Sequence, residues 1–172
     1  MAVTLRAASS PADYDAFAAL CRDYVGWCRE RYAHDTWFVS EVFGYQSLDN
    51  ELKDLSRKYG PPGGRALLAF SGDHVAGVGA YRSTTDTVCE MKRLYVSPAF
   101  SGQGVGRQLA QALFDAAQAD GYTLMQLDTG TLMKEAIAMY ESLGFYRIAP
   151  YCVYPEKLLP YLVFMEKPLD KA

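Results

Sequence analysis

The sequence predicts a layered domain of the α/β or α+β class, built around a mixed β-sheet. Segments with strand and helix periodicity follow one another in the order strand, two helices, three strands, helix, strand, helix and two strands. The strands predicted at 87–96 and 123–128 flank a helix, which favours a parallel pair joined by a right-handed crossover. A length of 172 residues, half of them hydrophobic, fits a single domain with its own core.

The N-terminal third is predicted to be mainly helical. Residues 3–7 form a short strand candidate, and Ser10 is placed to cap a helix that begins at Pro11 and runs to about Tyr32. A second helical stripe covers residues 48–59 and stops at the glycine- and proline-rich run 60–64. We therefore expect two helices between the first strand and the rest of the sheet.

The remaining two thirds alternate strands with helices. Glycine and proline punctuate them, with Gly72 in a turn between two strands, Pro98 after the third strand and Gly144 after the last helix. The predicted strands lie at 65–70, 75–82, 87–96, 123–128, 145–153 and 161–166, and the predicted helices at 106–120 and 135–143.

Composition excludes several classes of function. With 22% charged residues and a net charge of −3, the chain has no electrostatic footprint for nucleic acid or an anionic membrane. No apolar run approaches the roughly 20 residues that span a bilayer, and the N-terminus lacks the features of a signal peptide, so we expect a cytoplasmic protein. His34 and His74 stand apart from any metal-ligand spacing, and the cysteines form no CxxC pair, so no metal site is predicted.

The segment 91–107 is the most informative part of the sequence. A strand leads into a loop with glycine at alternate positions, Gly102, Gly104 and Gly106, and the loop opens a helix. Glycine lets backbone approach a ligand closely, and the free amides at a helix start favour a phosphate group. Arg107, in the first turn, can add a charge-assisted hydrogen bond.

Other kinds of glycine loop fit this segment less well. A dinucleotide-binding GxGxxG pattern fails because Arg107 stands where its last glycine is required, or Leu109 if the pattern starts at Gly104. A P-loop needs Gly-Lys followed by serine or threonine, and the sequence contains no such triplet. A glycine-rich turn without any ligand remains open.

Two motifs resemble those of a known family. Leu94-Tyr95-Val96, Pro98 and Gly102-Gln103-Gly104-Val105-Gly106-Arg107 resemble the acetyl-CoA-binding motif Q/R-x-x-G-x-G/A of GNAT N-acetyltransferases. About thirty residues later, 136–145 is similar to the second family motif, A-x-x-x-Y-x-x-x-G-F. The resemblance covers roughly 65–166 and implies a mixed, mostly antiparallel sheet with helices on both faces, splayed between the fourth and fifth strands.

The resemblance also implies which residues hold acetyl-CoA. Backbone groups of Leu94 and Val96 would pair with the pantetheine arm, and amides of the glycine loop would hold the pyrophosphate. The implied cofactor-binding residues are Leu94, Tyr95, Val96, Gly102, Gln103, Gly104, Val105, Gly106 and Arg107. Two positions depart from the family pattern, since Ser101 replaces the arginine or glutamine that begins the loop and Met133 replaces a frequent asparagine.

Two catalytic residues follow from the same resemblance. Tyr140 matches the tyrosine that donates a proton to the departing thiolate, although a tyrosine of the core would show the same pattern. Glu90 lies where family members often carry a carboxylate that deprotonates the amine, directly or through water. It could equally pair with Lys92 or Arg65, and Glu41, Glu51 and Asp128 are further carboxylates that could serve.

The function implied is direct transfer of an acetyl group from acetyl-CoA to a primary amine of a small molecule, without metal. A non-catalytic module that senses or binds acyl-CoA is the alternative from another class. Nucleic acid and membrane are not expected as partners, whereas a homodimer is expected from family habit and exposed strand edges.

Overall fold

The computed structural model describes residues 2–169, and these form one seven-stranded sheet in the order β1-β2-β3-β4-β5-β7-β6. Neighbouring strands are antiparallel except for the pair β4 and β5, which is parallel. The strands are β1 Val3–Ala7, β2 Gly64–Ser71, β3 His74–Ser83, β4 Val88–Val96, β5 Leu124–Gly130, β6 Tyr146–Ile148 and β7 Leu162–Pro168. The mixed, mostly antiparallel sheet predicted above is confirmed.

Six α-helices and two 3₁₀ turns accompany the sheet within residues 2–169. The helices are α1 Pro11–Arg31, α2 Thr36–Tyr45, α3 Leu48–Glu51, α4 Leu55–Tyr59, α5 Val105–Ala119 and α6 Lys134–Ser142, with 3₁₀ turns at Pro98–Phe100 and Glu156–Tyr161. The start of α1 follows the sequence closely, because Ser10 and Asp13 cap each other's backbone amides in a capping box.

Helices cover both faces of the sheet, as predicted. Alternate residues of β2 point to opposite sides: Leu67 packs in the core that contains Leu109 and Leu113 of α5, whereas Leu68 packs in the core that contains Phe17 of α1 and Tyr59 of α4. A third apolar cluster joins α2 to β7 and the second 3₁₀ turn. The sheet thus separates two packed apolar layers.

The sheet splays between β4 and β5, which confirms the predicted opening. These strands pair only over Val88–Leu124, Cys89–Met125 and Glu90–Gln126, and no pairing continues towards their carboxyl ends. From Met91 onwards β4 therefore keeps its β3 neighbour on one side, and no strand among residues 2–169 pairs with it on the other.

A bulge in β4 lies beside this opening. Lys92 pairs with Ala80 and Tyr95 with Val78, so Arg93 and Leu94 together oppose the single residue Gly79. Arg93 adopts a left-handed φ of 60°. A Cβ on Gly79 would come within 2.8 Å of the Leu94 Cδ1 atom, so glycine makes room for the bulge.

Three sequence-based expectations for local structure were wrong. No element was expected at 36–45, yet packing of Phe38, Val39 and Val42 in an apolar cluster forms α2 there. The helix expected at 48–59 is two short helices, α3 and α4.

The strand expected at 145–153 is limited to Tyr146–Ile148. The chain then leaves the sheet between Pro150 and Pro155, and the hydroxyls of Tyr151 and Tyr154 bond to buried carboxylates instead.

Candidate active site

A cleft of about 860 Å³ opens where β4 and β5 separate. The glycine loop, the start of α5 and α6 form one side of it, and α1 and α2 form the other. Of the cofactor-binding residues expected from sequence, those that line the cleft are Leu94, Tyr95, Val96, Gly102, Gly104, Val105, Gly106 and Arg107. Gln103 does not line it, and its side-chain amide donates to the carbonyl of Ala99 at 3.5 Å.

The glycine loop places free backbone amides at one end of the cleft. Gly102 and Gly104 have φ values of 75° and 76°, which residues with a Cβ rarely adopt. Gly104 is the N-cap of α5 and no side chain caps the helix, so its first-turn amides have no intrahelical acceptor. A Cβ on Gly102 would meet no atom within 4 Å, so the loop faces open space.

Arg107 is fixed beside this loop by α6. Its guanidinium donates to the hydroxyl of Ser142, which itself donates to the carbonyl of Met139 at 2.7 Å. The guanidinium has further N–H groups that this hydrogen bond does not use. Positive charge is therefore held next to the free amides of α5.

The edge of β4 offers unpaired backbone along the cleft. Tyr95 and Val96 pair with Val78 and Gly77 of β3, whereas their other side faces the opening towards β5. An extended chain with amide groups can add to such an edge as a strand would.

Tyr140 projects from α6 into the cleft. Tyr140 is only 6% exposed and packs against Phe145, and within residues 2–169 its hydroxyl is found in no hydrogen bond. Burial, with a smaller contribution from the charge of Asp128, raises the pKa of Tyr140 well above its ordinary value. The phenol therefore stays protonated and is free to donate.

Glu90 lies behind the cleft and does not line it. The residue is 3% exposed, and its carboxylate accepts hydrogen bonds from Arg82 at 3.0 Å and from the Tyr151 hydroxyl at 2.7 Å. The Lys92 ammonium, which does line the cleft, is 3.8 Å away. Glu90 can therefore exchange a proton with the cleft only through a water molecule.

Asp128, at the end of β5, is a carboxylate that lines the cleft directly. It accepts hydrogen bonds from Lys92 at 3.0 Å and from the Tyr154 hydroxyl at 2.7 Å. Burial alone would raise its pKa, but the charge of Lys92 and these two hydrogen bonds hold the pKa of Asp128 below its ordinary value. Asp128 is therefore ionised at neutral pH.

A second buried ion pair is joined to the first. Arg93 donates two hydrogen bonds to Glu51, at 2.8 and 3.0 Å, and a third to the side-chain carbonyl of Gln46 at 2.7 Å. The Gln46 amide donates to the Tyr154 hydroxyl at 2.8 Å, and Tyr154 donates to Asp128. Sequence reasoning missed Gln46 as a site residue, because its partners Arg93 and Tyr154 are far away in the chain.

The other carboxylates considered from sequence lie elsewhere. Glu51 is buried beside Arg93 and does not line the cleft. Glu41 forms an exposed ion pair with Lys157 at 2.8 Å. Within residues 2–169, no three His, Cys, Asp or Glu side chains are grouped to hold a metal ion, and no helix is long and apolar enough to cross a membrane.

The site therefore fits a long cofactor with an anionic group at one end and an extended amide chain. The free amides of α5 and Arg107 suit phosphate oxygens, and the open edge of β4 suits the amide chain. The Tyr140 hydroxyl would meet the far end of that chain inside the cleft.

Comparison with known proteins points to one family. The model of the acetyltransferase (GNAT) family matches residues 18–145. A Schizosaccharomyces pombe protein named as an uncharacterized N-acetyltransferase is 32% identical over 171 residues, which cover 98% of this chain and 96% of that protein.

Solved structures share the same fold. An acetyltransferase of Streptococcus agalactiae superposes with a TM-score of 0.74 at 18% identity, covering 96% of this chain and 98% of that one. The N-acetyltransferase PaiA of Thermoplasma acidophilum, solved in complex with coenzyme A, gives 0.72 at 18% identity, covering 98% and 99%.

Proposed function

Since the chain belongs to the GNAT family of acetyl-CoA-dependent N-acetyltransferases, we propose that it acetylates a primary amine of a small molecule by direct attack in a ternary complex. The observation that best supports this is the cleft between β4 and β5, because the glycine loop, the open strand edge and the Tyr140 hydroxyl all face one continuous space. When bound there, acetyl-CoA supplies a thioester whose acetyl group an amine can take.

The chain's backbone would hold the cofactor. Amides from Gly102 to Arg107 would bind the pyrophosphate, and the free edge at Leu94 and Val96 would pair with the pantetheine amides. Ser101 offers no long side chain to the phosphates, so binding depends on the backbone and on Arg107.

Tyr140 would protonate the departing thiolate. Its hydroxyl has no competing acceptor within residues 2–169, and burial keeps it protonated. General-acid catalysis of this kind contributes roughly 10²–10⁴-fold to the rate. Most of the remaining gain would come from holding amine and thioester together.

Glu90 would be the final acceptor of the amine proton. Because Glu90 does not line the cleft and the Lys92 ammonium, 3.8 Å from it, is too far for a hydrogen bond, the proton would reach Glu90 through water instead of moving directly. Asp128 lines the cleft directly, but the charge of Lys92 and the hydrogen bond from Tyr154 lower its pKa and make it a poorer base than an ordinary aspartate.

The experiment that tests this proposal measures thiol release from acetyl-CoA with a panel of primary amines, with mass spectrometry to identify the acetylated product. Tyr140→Phe should lower kcat by about 10²-fold or more and leave the thermal stabilisation by acetyl-CoA unchanged. Tyr146→Phe is the matched control, since Tyr146 is an exposed tyrosine of β6 outside the cleft. Stabilisation by acetyl-CoA without thiol release from any amine would favour a non-catalytic acyl-CoA-binding module.

We also propose that the protein acts as a cytoplasmic homodimer. In residues 2–169 the outer edge of β6 has no strand partner, and Tyr146 on this strand is 48% exposed. Light scattering of the purified protein should give twice the mass of one chain, and a mass of one chain would contradict the dimer.

A further inference from the structure

The side of the cleft formed by α1 and α2 has an aromatic wall. The ring of Tyr24 lies 6.2 Å from that of Trp27, 5.9 Å from that of Phe43 and 5.2 Å from that of Tyr95, measured between centroids. All four residues line the cleft. The glycine loop and the backbone edge of β4 are assigned to the cofactor, so these rings, with the side chain of Tyr95 among them, are left for the acceptor.

The buried charged groups on the cleft are already paired. Lys92 lies 3.0 Å from Asp128, and Arg93 lies 2.8 Å from Glu51, and in both pairs all the side chains are at most 9% exposed. Arg107, the cation at the glycine loop, belongs to the cofactor end.

The only other charges on the cleft within residues 2–169 form a pair at its rim. Arg31 donates to Glu135 at 2.6 Å, and its guanidinium carbon lies 4.9 Å from the centroid of the Trp27 ring. Their side chains are 32% and 72% exposed, so this pair can exchange partners more easily than the buried ones.

This arrangement discriminates between acceptors. A carboxylate or a second ammonium on the acceptor would leave water and find each buried opposite charge already occupied, which is unfavourable. An uncharged ring would instead exclude water from the aromatic wall and stack against it.

We propose, on the premise of the proposed function, that the acceptor is a primary amine carried on an uncharged aromatic body, an arylalkylamine, and that Trp27 forms part of its binding wall. The amino group would enter towards the space between Tyr140 and the Lys92–Asp128 pair, while the ring would lie against α1 and α2. Amino acids and polyamines would bind poorly.

Binding can be measured without turnover because the chain has only two tryptophans. Trp37 is 41% exposed and does not line the cleft, so in Trp37→Phe the emission reports Trp27 alone. With CoA present, phenethylamine should change this emission with a Kd at least about tenfold lower than that of phenylalanine or spermidine. In Trp27→Phe, which keeps Trp37, the emission should not respond.

Equal or tighter binding of phenylalanine or spermidine would overturn the inference, and so would an unchanged Trp27 emission with phenethylamine. Measuring thiol release distinguishes a wrong acceptor class from a failure of the proposed acetyl transfer. Thiol release with phenylalanine or spermidine but not phenethylamine would keep the transferase and refute the acceptor class. Binding of phenethylamine without any thiol release would refute the transfer and keep the ligand class.

A second variant tests the role of charge pairing. Glu135→Gln frees Arg31 at the rim, so the preference for phenethylamine over phenylalanine should narrow at least about threefold. Glu41→Gln is the matched control, because its pair with Lys157 is also exposed and lies outside the cleft. An unchanged preference in Glu135→Gln would contradict the argument from paired charges.

Discussion

The ion pair between Arg93 and Glu51 should be a large local source of stability, and Arg93→Met tests it. The guanidinium is joined to Glu51 through two hydrogen bonds, and the two side chains are 5% and 1% exposed. Methionine keeps much of the length of arginine but leaves the Glu51 carboxylate buried with Lys58 and Tyr59 as its remaining partners. Removing one partner of a buried ion pair costs about 3–5 kcal/mol.

The pKa of Glu51 gives a second value for the free energy that depends on this pair. Burial alone would raise this pKa, but the hydrogen bonds and charge of Arg93, assisted by Lys58 and Tyr59, lower it from 4.5 to about 2. Since one pKa unit corresponds to about 1.4 kcal/mol, the difference contributes roughly 3 kcal/mol. Because the folded-state pKa is depressed, this contribution is complete above pH 4.5 and is lost as the pH falls towards 2.

Urea unfolding at pH 7 and at pH 3.5 measures the loss of unfolding free energy in the variant and how that loss changes with pH. Arg93→Met should lose about 3 kcal/mol at pH 7, and the gap to the wild-type protein should narrow by about 1 kcal/mol at pH 3.5. Arg147→Met is the control, because its pair with Glu141 is 61% and 48% exposed and should contribute less than about 1 kcal/mol. A loss below about 1 kcal/mol for Arg93→Met, or a gap independent of pH, would refute the reasoning.

Three further predictions concern the loop, the base and the thiols. Gly104→Val forces a β-branched residue to a φ of 76°. The thermal stabilisation by acetyl-CoA should largely disappear, while the unfolding midpoint without ligand falls only a few degrees. An unchanged rise of the midpoint with acetyl-CoA would contradict the role of the loop. Glu90→Gln should lower kcat about 10²-fold or more with the KM for acetyl-CoA unchanged, and a smaller effect than that of Asp128→Asn would make Asp128 the better base. Dithionitrobenzoate should label only Cys152 in the native protein, because Cys152 is exposed whereas the other three thiols are buried. Labelling should become faster as the pH rises, since partial desolvation raises the pKa of Cys152 to about 11; rapid labelling of any buried thiol would contradict the fold.

Local chemistry made the glycine-loop end of the cleft predictable from sequence. Gly102 and Gly104 have to be glycine because of their own backbone conformation, and the amides they expose belong to the helix that follows directly. The position of Tyr140 on α6 is local in the same sense, because helical spacing alone places it on the buried face with Ile137.

The hydrogen-bond network behind the cleft could not be predicted because its contacts join distant parts of the chain. Gln46 bonds to Tyr154 across 108 residues, and Tyr151 bonds to Glu90 across 61. The sequence predicts a strand at 145–153, but only Tyr146–Ile148 pairs in the sheet, and the hydroxyls of Tyr151 and Tyr154 donate to Glu90 and Asp128. The bulge at Arg93 depends likewise on Gly79 of the neighbouring strand.

Thermal unfolding with acetyl-CoA, CoA, NAD and ATP in parallel tests the central claim most directly. A ligand at about a hundred times its Kd adds roughly 2.7 kcal/mol, and each kcal/mol moves the midpoint of a domain of this size by about 2–4 °C. We expect acetyl-CoA and CoA to raise the midpoint by several degrees and NAD and ATP to leave it unchanged. No rise with acetyl-CoA or CoA, or an equal rise with NAD or ATP, would contradict the assignment of the cleft.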